Sequence, residues 1–173
     1  MAWQIDASHS QIGFSVRHMM VSTVRGRFST VSGTLNIDEA NPANSWVEAE
    51  ADTASISTND ANRDGHLRSA DFFDAEKFPK VTFKSTSVAK DGDNYKVTGD
   101  LTMHGVTKPV TFTVEYSGVI KDPYGLQRAG FDAQAKINRK DFGLGWGGVL
   151  ETGGAIVSDE VKISLEFEAT LQN

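Results

Sequence analysis

The final segment of the chain alternates strictly between apolar and polar residues. Every odd position from Val161 to Leu171 is apolar, and every even position is charged or carries a hydroxyl group. A period of two predicts a β-strand with one face against an apolar interior and the other face in water. At ~3.4 Å per residue the strand would extend roughly 37 Å, about twice the usual length. Such long, two-faced strands are typical of an antiparallel barrel with a large interior.

Similar alternation elsewhere predicts about eight strands at meander-like spacing. In the first long run, Ile12, His18 and Met20 share the apolar phase. The phase then slips by one residue between Phe28 and Val31, which predicts a β-bulge within one long strand. Because bulges bend sheets, this slip favours a closed barrel. Polar breaks that contain Gly or Pro separate further runs at residues 41–42, 91–94 and 121–125.

One segment of the chain does not alternate. From Asn59 to Phe78 the pattern predicts a short amphipathic helix, with Thr58 or Asn59 as its cap. The rings of Phe72, Phe73 and Phe78 lie within or at the end of this segment. A lone, aromatic-rich helix in an all-β chain is expected to plug one end of the barrel and to gate access to its interior.

The composition predicts one globular domain over residues 1–173. A net charge of −6 argues against nucleic acid as the main partner and against a basic membrane anchor. No apolar run is long enough to cross a bilayer, so stable membrane insertion is not expected. The first residues lack the basic and apolar regions of a signal peptide, which predicts a cytoplasmic location. The charged outer faces suit a monomer or a homodimer.

Signals for catalysis or metal binding are weak. The chain has no cysteine, and its four histidines lie in separate segments without metal-site spacing. Residues 143–148 fit the pattern Gly-x-Gly-x-x-Gly, but no βαβ unit holds them, so a dinucleotide cofactor is not expected. Two alternatives stay open. One is an enzyme or metal site at the barrel mouth that uses His9, His18 or His66, and the other is a fully packed barrel that serves as an interaction domain.

Two polar residues fall in the inward phase of their strands. Arg139 continues the phase of Ile137, which places it at a strand end near the mouth of the barrel. An inward arginine must be paired, and Asp141 is the predicted structural partner, whereas an anionic ligand head group is the functional one. His18 is predicted to be either a hydrogen-bonded core residue or a ligand contact.

Seven segments, in order and over essentially the whole chain, resemble the YceI-like family of polyisoprenoid-binding proteins. They are DASHSQIGF at residues 6–14, VRHM at 16–19, VRGRF at 24–28, RDGHLRSADFF at 63–73, FPKVTF at 78–83, GDLTMHGVTKPV at 99–110 and INRKDFGL at 137–144.

The resemblance implies an all-β fold, namely an extended, eight-stranded, antiparallel, lipocalin-like barrel with one short helical segment near residues 59–78. It also implies a tunnel that holds a long isoprenoid chain, such as a polyprenyl phosphate or an isoprenoid quinone. The protein would act as a carrier, store or sink for this lipid, with no catalysis and no cofactor besides the bound ligand. Family members are linked to stress responses, and many are exported.

Inward positions predict the residues that contact such a ligand. The candidates for the head-group end are His18, His66, Arg68 and Arg139. The candidates for the tunnel wall are Phe14, Val16, Met20, Phe28, Leu35, Phe72, Phe83, Leu101, Phe112, Phe131, Ile137, Trp146, Ile163, Leu165 and Phe167. Filled cores prefer larger side chains, so small inward residues are expected to leave room for the lipid. These are Gly33, Ala49, Ala51, Gly99, Ala133 and Ala135.

Overall fold

The computed structural model describes residues 2–145 and 157–172. Within these ranges eleven strands form one antiparallel sheet. Their bounds are Trp3–Ile5 (β1), Gln11–His18 (β2), Ser22–Phe28 (β3), Val31–Asn36 (β4), Trp46–Asp52 (β5), Ile56–Ser57 (β6), Lys80–Asp91 (β7), Asn94–Met103 (β8), Val106–Lys121 (β9), Gln127–Asn138 (β10) and Glu160–Leu171 (β11). The same ranges contain one α-helix, α1, at Ala61–Arg68, and 3-10 turns at Ala7–His9, Pro42–Asn44, Thr53–Ser55 and Arg139–Phe142.

The sheet closes on itself. Neighbours pair in the order β1, β4, β5, β7, β8, β9, β10 and β11, and β11 pairs back to β1. The remaining strands belong to the same ring, because β1 continues into β2, β3 into β4, and β5 into β6. The result is a closed, up-and-down antiparallel barrel of eight long strands, which confirms the predicted fold class.

Strand β11 is the long, two-faced strand that the alternation predicts. Along one edge it pairs with β10 from the Asn138–Glu160 pair to the Arg128–Thr170 pair. Along the other edge its first half pairs with β2 and its last three residues pair with β1. The first long strand of the barrel is interrupted and consists of β1 and β2. Strand β11 must be long because both of these segments pair with the same edge of it.

A break, and not a bulge, separates Phe28 from Val31, so the prediction of one continuous strand there is wrong. Strand β3 pairs with β2 and β6, whereas β4 pairs with β1 and β5. The apolar residues change from even to odd positions because β3 and β4 pair with different strands on the two sides of the break. Register shifts occur instead within the β7–β8 and β9–β10 pairings.

Helix α1 is shorter than the predicted segment. It follows Asp60, whose carboxylate accepts hydrogen bonds from the N–H groups of Asn62 and Arg63 at 3.1 and 3.0 Å. Turns lead from the end of the helix to β7, and Phe72 and Phe73 within them are buried in the barrel core. The aromatic part of the predicted plug therefore lies after the helix. No helix among the described residues is long and apolar enough to cross a membrane.

Several glycines in the barrel lie beneath neighbouring side chains. The ring of Phe14 covers Gly26, and the ring of Phe83 covers Gly99. A Cβ atom at Gly33 would meet the backbone of β5 and the side chain of Ile5. These positions let rings and strands approach closely. The expectation that Gly33 and Gly99 leave room for a ligand is therefore wrong.

The Gly99→Ala variant tests this close packing. The new Cβ would lie 2.5 Å from Cζ of Phe83 and 2.5 Å from the carbonyl oxygen of Lys84. Because backbone cannot move aside easily, we expect the free energy of unfolding to fall by about 1–3 kcal/mol, as measured by urea denaturation. The control is Gly65→Ala in α1, where no atom lies within 4 Å of the new Cβ. The free energy of unfolding of this variant should rise by about 0.5–1 kcal/mol. Equal effects of the two substitutions would contradict the close packing assigned to Gly99.

Candidate ligand-binding cavity

A large cavity lies inside the barrel. Its volume is about 2450 Å³ when the space at its open parts is included. Strand β10 illustrates its length, because Phe131 in this strand and Arg139 directly after its end both line the cavity and lie eight residues apart. With strands rising ~3.4 Å per residue and tilted by about 40°, this separation is roughly 20 Å along the barrel axis. The middle of the cavity is lined by aliphatic and aromatic side chains.

Most of the residues predicted from the inward phase line this cavity. They are Phe14, Val16, His18, Phe28, Leu35, His66, Phe72, Phe83, Leu101, Phe112, Phe131, Ile137, Arg139, Ile163, Leu165 and Phe167. Of the small residues, Ala49, Ala51 and Ala133 also line it. These residues come from all eight long strands, from the 3-10 turn after β10 and from the α1 region, because strict alternation directs one face of every strand inward.

Two predicted residues do not line the cavity, and a third is not described. Met20 lies beyond the end of β2 in the turn to β3, and its side chain is 66% exposed, so its inward placement is wrong. Arg68 is half-buried and does not line the cavity, which corrects its placement at the head-group end. On a helix, Arg63, His66 and Leu67 share one face, and Arg68 lies a further ~100° around the axis. Trp146 lies outside the described residues.

One end of the cavity, here called the basic end, is lined by His18, Thr58, Arg63, His66 and Arg139. Arg63 donates from Nε to the Thr58 hydroxyl at 2.8 Å and from Nη2 to the Thr58 carbonyl at 2.9 Å. His66 Nε2 lies 3.0 Å from a carboxylate oxygen of Asp71. These contacts orient positively charged or protonatable groups around the same opening.

Arg139 is almost fully buried at the basic end. Its guanidinium donates to the carbonyl oxygens of Ser158, Leu144 and Val157 at 3.0, 2.5 and 3.3 Å. Asp159 is its carboxylate partner at 3.6 Å, so the predicted pairing with Asp141 is wrong. The side chain joins the segment after β10 to the segment before β11, which is a structural role.

The opposite end, here called the acidic end, is lined by Asp38, Glu39, Tyr95 and Tyr116 among others. The Tyr116 hydroxyl donates a hydrogen bond to a Glu39 carboxylate oxygen at 2.6 Å. Burial first, and then this hydrogen bond, raises the pKa of the Tyr116 phenol well above its ordinary value. Tyr116 therefore stays protonated and connects the β4–β5 loop to the barrel wall.

His9 lies away from the cavity. Its Nδ1 is 2.8 Å from Asp6, and Glu168 lies beside them, so these three side chains could share a metal ion in the described part of the chain. Arg128 already donates to Asp6 at 2.9 Å and to Glu168 at 3.5 Å. Hydrogen bonds from Ser8, His9 and Arg128 hold the pKa of the Asp6 carboxyl well below its usual range. The Arg128 guanidinium thus already supplies a positive charge to the two carboxylates that a metal ion would need.

Sequence reasoning missed polar residues at both ends of the cavity. Arg63 could have been found from its helical spacing to His66 and Leu67. Tyr116 continues the inward phase of Phe112, so the same alternation that identified Phe112 applied to it as well. The loop residues Asp38 and Glu39 carry no periodic signal, and only the folded chain brings them to the cavity.

A closed antiparallel barrel with an apolar cavity and polar groups at its two ends defines the lipocalin-like class of barrels. Within this class the chain belongs to the YceI-like family, because the family model of the YceI-like domain matches residues 3–169. This match confirms the resemblance found in the sequence. Protein YceI of Escherichia coli O17:K52:H18 (strain UMN026) is 43% identical over 167 residues, which cover 96% of this chain and 84% of that protein.

Two solved structures are similar in fold. BcnA from Burkholderia cenocepacia has a TM-score of 0.85 and 29% identity, and the match covers 96% of this chain and 99% of BcnA. A polyisoprenoid binding domain from Saccharophagus degradans has a TM-score of 0.71 over 98% of each chain. At 18% identity, the second likeness shows the fold alone.

The Arg139→Lys variant tests the structural role of Arg139. A lysine presents its donors from a single point and cannot reach three separate carbonyl groups, so buried acceptors would lose partners. We expect the free energy of unfolding to fall by about 2–4 kcal/mol in chemical denaturation. The control is the neighbouring Lys140→Arg substitution at an exposed position 3.4 Å from Asp159, which should change stability little. Unchanged stability of Arg139→Lys would overturn the structural assignment.

Proposed function

We propose that this protein binds a long isoprenoid chain in the barrel cavity and acts as a carrier, store or sink for it, with a role in stress response. The observation that carries the proposal is the cavity itself, which is apolar along its middle and polar only towards its ends. A polyprenyl phosphate and an isoprenoid quinone both match this distribution. Each has a long apolar tail and one polar head.

The energetics of burial favour such a ligand. Each CH₂-sized group that leaves water gains ~0.8 kcal/mol, and no directional contact is needed for this gain. The aromatic wall of Phe83 and Phe112, whose rings meet edge to face at 5.1 Å, provides a firm surface against which a tail can pack. Affinity should therefore rise with tail length until the tail fills the cavity.

The two ends of the cavity favour one orientation of a phosphorylated ligand. Arg63 and the two histidines His18 and His66 line the basic end, and arginine is well suited to phosphate oxygens. Asp38 and Glu39 line the acidic end, where a phosphate would meet like charge. The proposal therefore places a phosphate head group at the basic end and the tail towards the acidic end.

The comparisons support the proposal without identifying the ligand. Membership of the YceI-like family and the shared fold with a polyisoprenoid binding domain both agree with an isoprenoid ligand. Of the three histidines that the enzymatic alternative would use, His9 lies outside the cavity that His18 and His66 line, and the described lining of this cavity is mostly aliphatic and aromatic. The geometry thus favours binding over a catalytic centre.

The direct test is extraction of the purified protein with organic solvent, followed by mass spectrometry. We expect a lipid with an isoprenoid tail in the extract, or uptake of an added polyprenyl phosphate or quinone by delipidated protein. Uptake should be followed by quenching of intrinsic fluorescence and confirmed by mass after gel filtration. Protein that carries no lipid and takes up neither probe would refute the proposal.

The Ala133→Phe variant locates the site. Ala133 is buried, lines the cavity and lies between Val114 and Leu165 in the sheet register. A phenylalanine there would project into the tail space, so we expect at least a tenfold loss of affinity, equivalent to the burial of about two CH₂ groups. The control, Gln134→Phe, adds the same ring one residue along the strand on the exposed face. Equal uptake by both variants would place the ligand elsewhere.

A further inference from the structure

The turn between β2 and β3 exposes three consecutive apolar side chains. Met19, Met20 and Val21 are 42%, 66% and 77% exposed. The Val21 N–H donates to the His18 carbonyl at 3.2 Å, which closes a tight turn around the two methionines. The two methionines have φ values of 50° and 59°, in the left-handed region. Asn and Gly are the residues that favour such positions in hairpin turns.

Neither stability nor solvation accounts for methionines at these two positions. A left-handed backbone is unfavourable for a side chain of this size, and water is a poor environment for exposed apolar atoms. Residues that violate local preference in this way are concentrated at functional sites. The turn is nonetheless held firmly. Arg17 donates to the Met20 carbonyl at 3.3 Å and to the Thr23 hydroxyl at 3.0 Å.

A row of cations lies behind this turn on the outer face of the barrel. The register aligns Arg25 of β3 with Ser15 of β2, Ser15 with Lys162 of β11, and Lys162 with Lys136 of β10. Arg25, Lys162 and Lys136 are all exposed, and none of them forms an ion pair with another described residue. With strands about 4.8 Å apart, the row is roughly 14 Å wide, and it lies about 10 Å behind Ser22 at the base of the turn.

We propose that this surface docks reversibly on a bilayer that contains anionic phospholipids. The surface, here called the docking tip, consists of Met19, Met20 and Val21 together with Arg25, Lys136 and Lys162. The apolar turn enters the headgroup region, and the cations behind it meet the lipid phosphates. Apolar contact and attraction to anionic lipid add together in this mode of binding. Docking goes beyond the proposed lipid binding and does not depend on it.

The shape and charge of the docking tip favour a bilayer over a protein partner. A convex turn of three apolar residues needs a matching groove in a protein, whereas lipid head groups rearrange around it. The acidic residues Glu115, Asp132 and Glu166 align in register on the same outer face but lie four residues further from the tip than Lys162. This distance is about 13 Å, beyond the ~10 Å over which salt screens charge. Closer to the tip, Glu160 is exposed two residues before Lys162 on the same face of β11, and Asp159 lies within 3.6 Å of Arg139 and 3.4 Å of Lys140. The three cations of the row therefore outnumber the one exposed carboxylate on the same face of β11 near the tip.

Docking through this tip would bring the basic end of the cavity to the membrane. His18 precedes Met19 directly and lines the basic end, and it forms a backbone bridge with Val157. A lipid that moves between bilayer and cavity would then need to travel only a short distance through water.

The β9–β10 hairpin at the other end of the barrel serves as the matched control surface. Ile120 and Tyr124 are 66% and 90% exposed, so this hairpin is as apolar as the docking tip. Its arginine, Arg128, is held by Asp122 at 2.7 Å and by Asp6 at 2.9 Å. It therefore lacks the row of unpaired cations, and a bilayer should distinguish the two hairpins.

The test is flotation of the full chain with vesicles of phosphatidylcholine alone or mixed with phosphatidylglycerol, at low and high salt. The wild-type protein should float with the anionic vesicles at low salt. The double variant Met19→Asn, Met20→Gly should bind at least about tenfold more weakly, because it removes both apolar side chains. It should unfold at the same or a higher urea concentration, since Asn-Gly suits the turn. A merely structural role for the methionines predicts no change in vesicle binding.

The charge variant Arg25→Gln, Lys162→Gln should lose about fivefold in partitioning for each charge at low salt and approach the wild type at high salt. The control variant Ile120→Ser, Tyr124→Ser should retain wild-type binding. A wild-type protein that does not float with anionic vesicles would overturn the docking proposal, as would binding lost only in the control variant. Uptake of a polyprenyl ligand in detergent should be unchanged in the Met19 and Met20 variant, so failure of docking and failure of lipid binding are distinguishable.

Discussion

Closure of the sheet through β11 is the interaction on which the rest of the structure depends. This strand pairs with β10 along nearly its whole length and with both β1 and β2 along its other edge. A closed sheet has no free edge, so every strand can direct one face inward and leave the other in water. The apolar cavity exists because the inward faces meet around a space that Ala49, Ala51 and Ala133 do not fill.

Closure also gives the cavity two chemically different ends. Arg63, His18 and His66 gather at one end, while the β4–β5 loop brings Asp38 and Glu39 to the other. Under the proposed function, these ends would orient a phosphorylated ligand with its head group at the basic end, so the same geometry would set both where the ligand binds and how it is oriented. The docking tip lies at the basic end, next to His18. Entry, orientation and membrane contact would therefore share one end of the barrel.

The predictions that proved wrong concern residues at the end of a strand or helix, or residues whose partners come from a segment distant in the chain. Met20 kept the phase of β2 in the sequence, but β2 ends at His18 and the chain turns. Arg68 lies one residue past the helix face that reaches the cavity. Asp141 is close to Arg139 along the chain, yet carbonyl groups and Asp159 from the segment before the neighbouring strand β11 surround the guanidinium. Local spacing cannot show which distant segments lie opposite a side chain.

The amino-acid sequence by itself determined the all-β class, the inward phase of most strands and the family, because alternation with a period of two is a local property that survives folding. The tertiary structure decided how the strands align. Arg25, Lys136 and Lys162 are far apart in the chain and form a row only because the register places β3, β2, β11 and β10 side by side. The two ends of the cavity arise in the same way. Cross-strand register depends on long-range closure, which no local pattern contains.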